Sequence, residues 1–212
     1  MFTQRLNKLK ELINNANPYQ REITIVGVTK YTEISQINET VNGELNDLAE
    51  NKVQRLIELK AQNTSAKLHL IGHLQTNKAK QAVACADLIQ SVDSLKILNE
   101  ISKEAKKINK IQNILIQVNI AHEDAKFGLY ENEASELIKQ ASETENINLC
   151  GLMTIMPIEF NESYYKKMEE FYEEQKTICP DLKILSMGMT NDFETAIRYG
   201  STMIRVGSYL FK

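Results

Sequence analysis

Apolar and polar positions along this chain follow two periods in turn. The opening run, Met1-Phe2-Thr3-Gln4-Arg5-Leu6-Asn7-Lys8-Leu9-Lys10-Glu11-Leu12-Ile13, spaces its apolar residues for a helix among charges. Short apolar runs of strand length, many of them β-branched, then recur at 24–29, 44–49, 68–71, 88–92, 114–120, 148–153, 182–185 and 202–206. Between them lie amphipathic helical patterns at 33–41, 51–62, 77–85, 94–108, 131–143, 161–177 and 191–199. Val53, Leu56, Ile57 and Lys60 show the helical period, as do Ile97, Leu98, Ile101, Ala105 and Ile108. The dense Glu and Lys of 131–143 and 161–177 read as solvated outer faces.

Strict alternation of strand and helix implies a parallel sheet with right-handed crossovers. Eight units favour closure into an α/β (β/α)8 TIM barrel, with the opening helix as an addition before the first strand. The 212 residues lie near the lower limit of about 200 for such barrels, so the loops must be short and no second domain fits. A single barrel domain over 1–212 is therefore expected. Three prolines, eight glycines and the lack of a Ser/Gly-rich run agree with an absence of linkers.

Composition narrows the function classes. A net charge of -3 offers no field for nucleic acid or an anionic membrane surface. No run approaches the ~20 apolar residues of a membrane span, and the N-terminal pattern is not that of a signal peptide. Cys85, Cys150 and Cys179 form no CxxC pair and read as reduced thiols, so the expected location is the cytoplasm. Neither a metal-ligand spacing nor a hydrolytic triad is evident among the histidines, cysteines and serines.

In barrels of this kind the site is assembled where the strands end. The first run, Ile23-Thr24-Ile25-Val26-Gly27-Val28-Thr29-Lys30, ends on a lysine whose stem the core would hold and whose amine would reach the rim. Alone, this reads more readily as a strand-end lysine snorkelling to water than as a Schiff-base lysine. The other strand ends shift that balance. They carry Glu50-Asn51, Gly72-His73-Leu74-Gln75-Thr76-Asn77, Ser91 and Asp93, Asn119 with Lys126 beyond it, Met153-Thr154, Ser186-Met187-Gly188-Met189-Thr190 and Arg205-Val206-Gly207-Ser208.

Loops seven and eight have the character of a phosphate site. Ser186 to Thr190 run into a helix capped by Thr190 or Asn191, and Gly207-Ser208 follow the last strand. Taken singly, those glycines serve equally well as tight turns. Lys30 and this cradle would face each other across the mouth, because strands one and eight become neighbours when the sheet closes. An amine beside a phosphate clamp is what pyridoxal 5′-phosphate requires. A lysine amine must be neutral to attack, against a reference value of ~10.4, so a neighbouring cation helps, and Arg205 can supply it. An arginine facing the pyridine nitrogen would donate a hydrogen bond without giving up a proton, leaving a weaker electron sink than a carboxylate partner does. Arg205 also reads as a structural strand-end ion pair. His73 either lines the site or is hydrogen-bonded within the rim, and His69 has no evident role.

The chain resembles the YggS/PROSC family of pyridoxal-phosphate homeostasis proteins, in ordered motifs across 24–211. These are Val28-Thr29-Lys30, Ala49-Glu50-Asn51-Lys52-Val53-Gln54, His69-Leu70-Ile71-Gly72-His73-Leu74-Gln75-Thr76-Asn77-Lys78 and Ser91-Val92-Asp93-Ser94-Leu95. They continue through Gln117-Val118-Asn119-Ile120, Lys126-Phe127-Gly128, Gly151-Leu152-Met153-Thr154-Ile155 and Leu185-Ser186-Met187-Gly188-Met189-Thr190. Asp192-Phe193-Glu194-Thr195-Ala196-Ile197 and Gly200-Ser201-Thr202-Met203-Ile204-Arg205-Val206-Gly207-Ser208 complete the set. The resemblance implies a fold similar to the N-terminal barrel of alanine racemase, with pyridoxal phosphate as a Schiff base on Lys30. It implies that Asn51 flanks the cofactor, that Ser186, Gly207 and Ser208 hold its phosphate, and that Arg205 lies near the pyridine nitrogen or phosphate.

The implied function is a cofactor carrier or buffer without catalytic turnover, with pyridoxal-phosphate-dependent apo-enzymes as recipients and the chain itself a monomer. The alternative is an amino-acid racemase with Lys30 as base for one face. Related enzymes supply the acid/base for the other face from a C-terminal domain of a partner subunit. A Schiff-base aldolase acting on a sugar phosphate would use the same barrel and phosphate site. The chain departs from the family pattern at Ala49, where glycine is usual, and in having no Gly-x-Arg tail after Phe211.

Overall fold

The computed structural model describes residues 1–30, 32–41, 43–159 and 161–212, with the side chains of all of these except Glu39 and Thr40. Eight strands, β1 (Thr24–Val28), β2 (Asp47–Glu50), β3 (Lys67–Leu70), β4 (Leu88–Val92), β5 (Gln112–Val118), β6 (Ile147–Thr154), β7 (Ile184–Ser186) and β8 (Met203–Val206), pair in chain order. Every pairing is parallel, and β1 pairs with β8 to close the ring. The helices are α1 (Phe2–Ala16), α2 (Ile37–Val41), α3 (Val53–Ala61), α4 (Ala79–Cys85), α5 (Leu95–Lys107), α6 (Glu131–Glu143), α7 (Glu162–Ile178), α8 (Phe193–Arg198) and α9 (Ser208–Phe211). The architecture is the expected (β/α)8 barrel with its additional N-terminal helix.

Period-two alternation divides the strand residues between two apolar layers. Val26, Val28, Ala49, Leu88, Leu115, Met153 and Met203 form the apolar part of the barrel interior. The residues between them, such as Leu48, Leu70, Ile89, Ile116, Leu152 and Ile204, pack outward with the buried faces of the helices. Helix α5 shows how a helix meets this layer: Ile97, Leu98, Ile101 and Ala105 are buried on one face, and Ser94 caps the start by accepting from the Ile97 N–H at 3.4 Å.

Boundaries shift where local pattern and tertiary packing disagree. The second strand spans Asp47–Glu50 and not 44–49, because Leu45 is buried in the outer layer ahead of the ladder. The stretch 33–41 divides into a 3-10 turn, Ile34–Gln36, and the short α2. The helix expected from 191 begins at Phe193. Helix α9, four residues long, is too short to show a period in sequence.

Candidate functional site

A cavity of about 550 Å³ opens at the C-terminal ends of the strands and is lined by Lys30, Asn51, Arg205, Gly207 and Ser208, with His73, Gln117, Lys126, Phe127, Ile155 and Thr190. Lys30 reaches it by phase. It is two residues beyond Val28, which is itself two beyond Val26, and both valines face the barrel interior. Asn51 stands in the same relation to Ala49 on β2. Gly72 lets the next loop close on it, since a Cβ at position 72 would lie 2.0 Å from the Asn51 carbonyl oxygen.

The segment that carries Lys30 is gripped from behind. Glu50, fully buried at the end of β2, accepts from the Thr29 hydroxyl at 2.6 Å and from Arg55 Nε at 3.2 Å. Arg55 Nη2 donates to the Thr29 and Thr32 carbonyls at 3.2 and 2.9 Å. One guanidinium on α3 thus ties both sides of Lys30 to the end of β2. Glu50 was visible in sequence only as a strand-end carboxylate. Arg55 gave no signal, because its partners lie on two other segments, the end of β2 and the turn after β1.

Arg205 forms part of the cavity floor, although it is only 3% exposed. Its Nη1 donates to Ser186 Oγ at 2.7 Å and its Nη2 to the Thr154 carbonyl at 2.7 Å. Burial lowers its pKa to about 10, so the guanidinium stays cationic at neutral pH and donates hydrogen bonds without giving up a proton. Ser186 is placed differently from the other expected phosphate residues. It is fully buried on β7 beneath Arg205, off the cavity wall, and its hydroxyl donates to Gln90 Oε1 at 2.8 Å.

Loops seven and eight meet where Ser208 Oγ donates to Thr190 Oγ1 at 3.2 Å, and Gly207 and Ser208 open to the cavity at the start of α9. The cap of α8 is Asp192, where Thr190 or Asn191 was expected. Its carboxylate accepts from the Met189 N–H at 2.7 Å and from the Tyr165 hydroxyl at 2.7 Å, which fixes the loop. Burial, then the Asp192 bond, pushes the Tyr165 hydroxyl well above its ordinary range, so Tyr165 stays a donor.

The far wall belongs to β3, β5 and their loops. His73 stacks on Phe127 with centroids 3.9 Å apart and meets Asp93 Oδ2 at 2.9 Å, so it both lines the cavity and is bonded within the rim. Lys126 pairs with Glu123 and donates to the Met156 carbonyl at 2.9 Å, which occupies its amine in the loop. Ser91, Asn119 and Thr154 spend their side chains on backbone at the strand ends and do not line the cavity. Among the described residues no group of three or more His, Cys, Asp or Glu is placed to hold a metal ion. No helix among them is long and apolar enough to cross a membrane.

A ring of eight strands with a lysine after the first and an arginine on the last defines a class of barrel, and the chain matches the family described as alanine racemase, N-terminal domain, over residues 6–212. Two relatives named pyridoxal phosphate homeostasis protein match at full length. That of Helicobacter pylori is 35% identical, covering 100% of this chain and 98% of the relative, and that of Aquifex aeolicus is 34% identical, covering 97% and 93%. Among solved structures, PipY of Synechococcus elongatus with PLP bound superposes with a TM-score of 0.88 at 27% identity, each chain covered in full. Alanine racemase of Clostridium difficile superposes with a TM-score of 0.80 at 19% identity, over 99% of this chain and 56% of the racemase, and shares the fold alone. The chain belongs to the pyridoxal phosphate homeostasis protein family.

Proposed function

We propose that this chain binds pyridoxal 5′-phosphate in the cavity above β1 and β8, covalently through Lys30, and acts as a reversible carrier of the cofactor. The observation that carries this is the convergence of three kinds of group on one space: the Lys30 amine, the buried Arg205 cation and the Ser208–Thr190 hydroxyl pair. The names of the full-length relatives and the PLP-bound PipY structure support the same reading. At about 550 Å³ the cavity falls within the ordinary range for small-molecule sites.

Each residue has a definite task. When bound, pyridoxal phosphate supplies an aldehyde that takes up a primary amine and a ring that draws electrons from the attached group. Lys30 offers the amine at the rim, held by the Thr29–Glu50–Arg55 clamp. Arg205 offers a fixed cation at the floor and keeps its own protons. Ser208 and Thr190, with the first N–H groups of α9, face an anion, while Asn51 flanks Lys30 from the neighbouring strand end. Ser186 acts on the site through Arg205 and not through the phosphate.

The test is direct. Pyridoxal phosphate added to the purified protein should give a visible absorbance band, and borohydride reduction followed by peptide mapping should place the label on Lys30. A label on Lys126 or Lys78 would overturn the assignment. Lys30→Ala should abolish the band while leaving far-ultraviolet circular dichroism intact. The carrier role is tested by transfer to an apo-enzyme, with a racemase assay alongside. Efficient transfer without turnover is expected, and robust racemization would reverse the reading.

A further inference from the structure

A file of hydrogen bonds crosses the barrel interior beneath the cavity. Arg205 Nη1 donates to Ser186 Oγ at 2.7 Å, and Ser186 Oγ donates to Gln90 Oε1 at 2.8 Å. Gln90 Nε2 meets His69 Nδ1 at 2.9 Å, and His69 Nε2 meets Asp47 Oδ1 at 3.0 Å. β8, β7, β4, β3 and β2 contribute one residue each. Ser186 and Gln90 are fully buried, and His69 is 2% exposed.

The partners fix the direction of every bond. A guanidinium only donates and a carboxylate only accepts, so the serine must accept from Arg205 and pass its own proton to the amide oxygen. The amide nitrogen then donates to Nδ1, which leaves the imidazole proton on Nε2, toward Asp47. Each link therefore donates in one sense, from the cation at the cavity floor to a carboxylate at the N-terminal end of β2. Bonds aligned in this way polarise one another in a low-dielectric interior.

Stability alone does not call for this arrangement. Barrel interiors are ordinarily filled by branched apolar side chains, and replacing buried polar groups by apolar ones of similar volume is often neutral or stabilising. Arg205, however, is buried with a hydroxyl and a carbonyl against its Nη atoms, and not a carboxylate. We propose that Asp47, His69, Gln90 and Ser186 are positioning residues for Arg205: a one-way hydrogen-bond file that holds the guanidinium in one orientation toward the ligand by tying it to Asp47.

The first arm of the test needs no ligand. In 15N-labelled protein, nuclear magnetic resonance should show His69 protonated on Nε2 and resolved, slowly exchanging Arg205 Nη–H signals. Gln90→Leu, which keeps the volume and removes the bonds to Ser186 and His69 together with the 3.3 Å contact to Met203 Sδ, should collapse the Arg205 signals. Unchanged Arg205 signals in that variant, or an Nδ1 proton on His69 in the unmodified chain, would overturn the proposal.

The second arm rests on the pyridoxal phosphate binding proposed above. Gln90→Leu should release the cofactor about tenfold faster, the loss expected for one hydrogen bond to a buried charge, while Lys30 is still labelled after borohydride. Asp47→Asn, which keeps the volume and an acceptor for His69, should speed release by a smaller factor. Gln90→Glu, whose carboxylate still accepts from Ser186 beneath Arg205, should restore retention. Unchanged release in Gln90→Leu, or no rescue by Gln90→Glu in a folded protein, would defeat the proposal. If the unmodified chain takes up no pyridoxal phosphate, the cofactor assignment fails, and the first arm still decides the file.

Discussion

Lys30 was legible because the run that leads to it is apolar, β-branched and of strand length, so that phase alone brings it to the rim. What holds it there was not legible. Glu50 and Arg55 are separated by the end of a strand and the start of a helix, and neither period links them. We expect Arg55→Lys to fold but to lose the planar fork that reaches Glu50 and two carbonyls at once. Destabilisation of about 1–3 kcal/mol and a severalfold slower capture of pyridoxal phosphate on Lys30 should follow, read by chemical denaturation and by the rate of the visible band. An unaltered capture rate would show that the clamp serves only the fold. Gly188 is a second position where one atom decides. With φ at +94° and an added Cβ only 2.6 Å from the Ala196 Cβ, Gly188→Ala should cost about 1–3 kcal/mol and displace the loop ahead of Thr190.

Single elements reach the site through their packing. Helix α1 buries Phe2, Leu6, Leu9, Ile13 and Ala16 along one stripe and packs against α8 and α9, the two helices that follow the proposed phosphate loops. The Phe2 and Phe211 rings lie 5.5 Å apart, and Arg5 donates to the Leu210 carbonyl at 3.3 Å. The helix was evident from its period, but its partners were not, because α9 is a single turn at the opposite end of the chain. Leu6 is fully buried, so Leu6→Ala should cost about 3 kcal/mol, and it should also loosen cofactor retention if α1 supports the start of α9. Equal loss of stability with unchanged retention would separate the two roles.

Between α6 and α7, Glu131 meets His122 at 2.6 Å and pairs with Lys167. Burial alone would raise its pKa, but the bonds from Lys167 and His122 outweigh that and hold the carboxyl below its ordinary range. A depressed carboxylate contributes stability above its unfolded value of ~4.3, and that stability is lost as the pH falls through the folded value. Glu131→Gln should therefore be less stable by about 0.5–1 kcal/mol near neutrality, with the difference vanishing in acid. Thermal melting of the two proteins across pH reads the sign directly.

At the scale of the molecule, the count of alternating units was enough to foresee a closed barrel, since eight strands on one hydrogen-bonded ring leave no edge. The polar interior was not foreseen, because the pattern within one strand does not show what an inward Asp47, His69 or Gln90 meets on another. Their common signal is that all three fall at inward positions of short parallel strands, where apolar residues are the rule. Ring closure has a thermodynamic consequence of its own. The pairing of β1 with β8 makes the first and last strands depend on each other, so we expect all 212 residues to unfold as one cooperative domain. Calorimetry should give a single transition with a heat-capacity change of about 2.5–3 kcal/mol/K. Two transitions would mean that half-barrels unfold separately. Pyridoxal phosphate at a hundred times its dissociation constant should stabilise that transition by about 2.7 kcal/mol, the linkage expected when only the folded state binds. The Lys30→Ala variant should show the same transition without most of that shift, because its ring is intact and its covalent anchor is gone. A full shift in that variant would mean that the cofactor's stabilising energy comes from the arginine and hydroxyl side of the cavity and not from the amine.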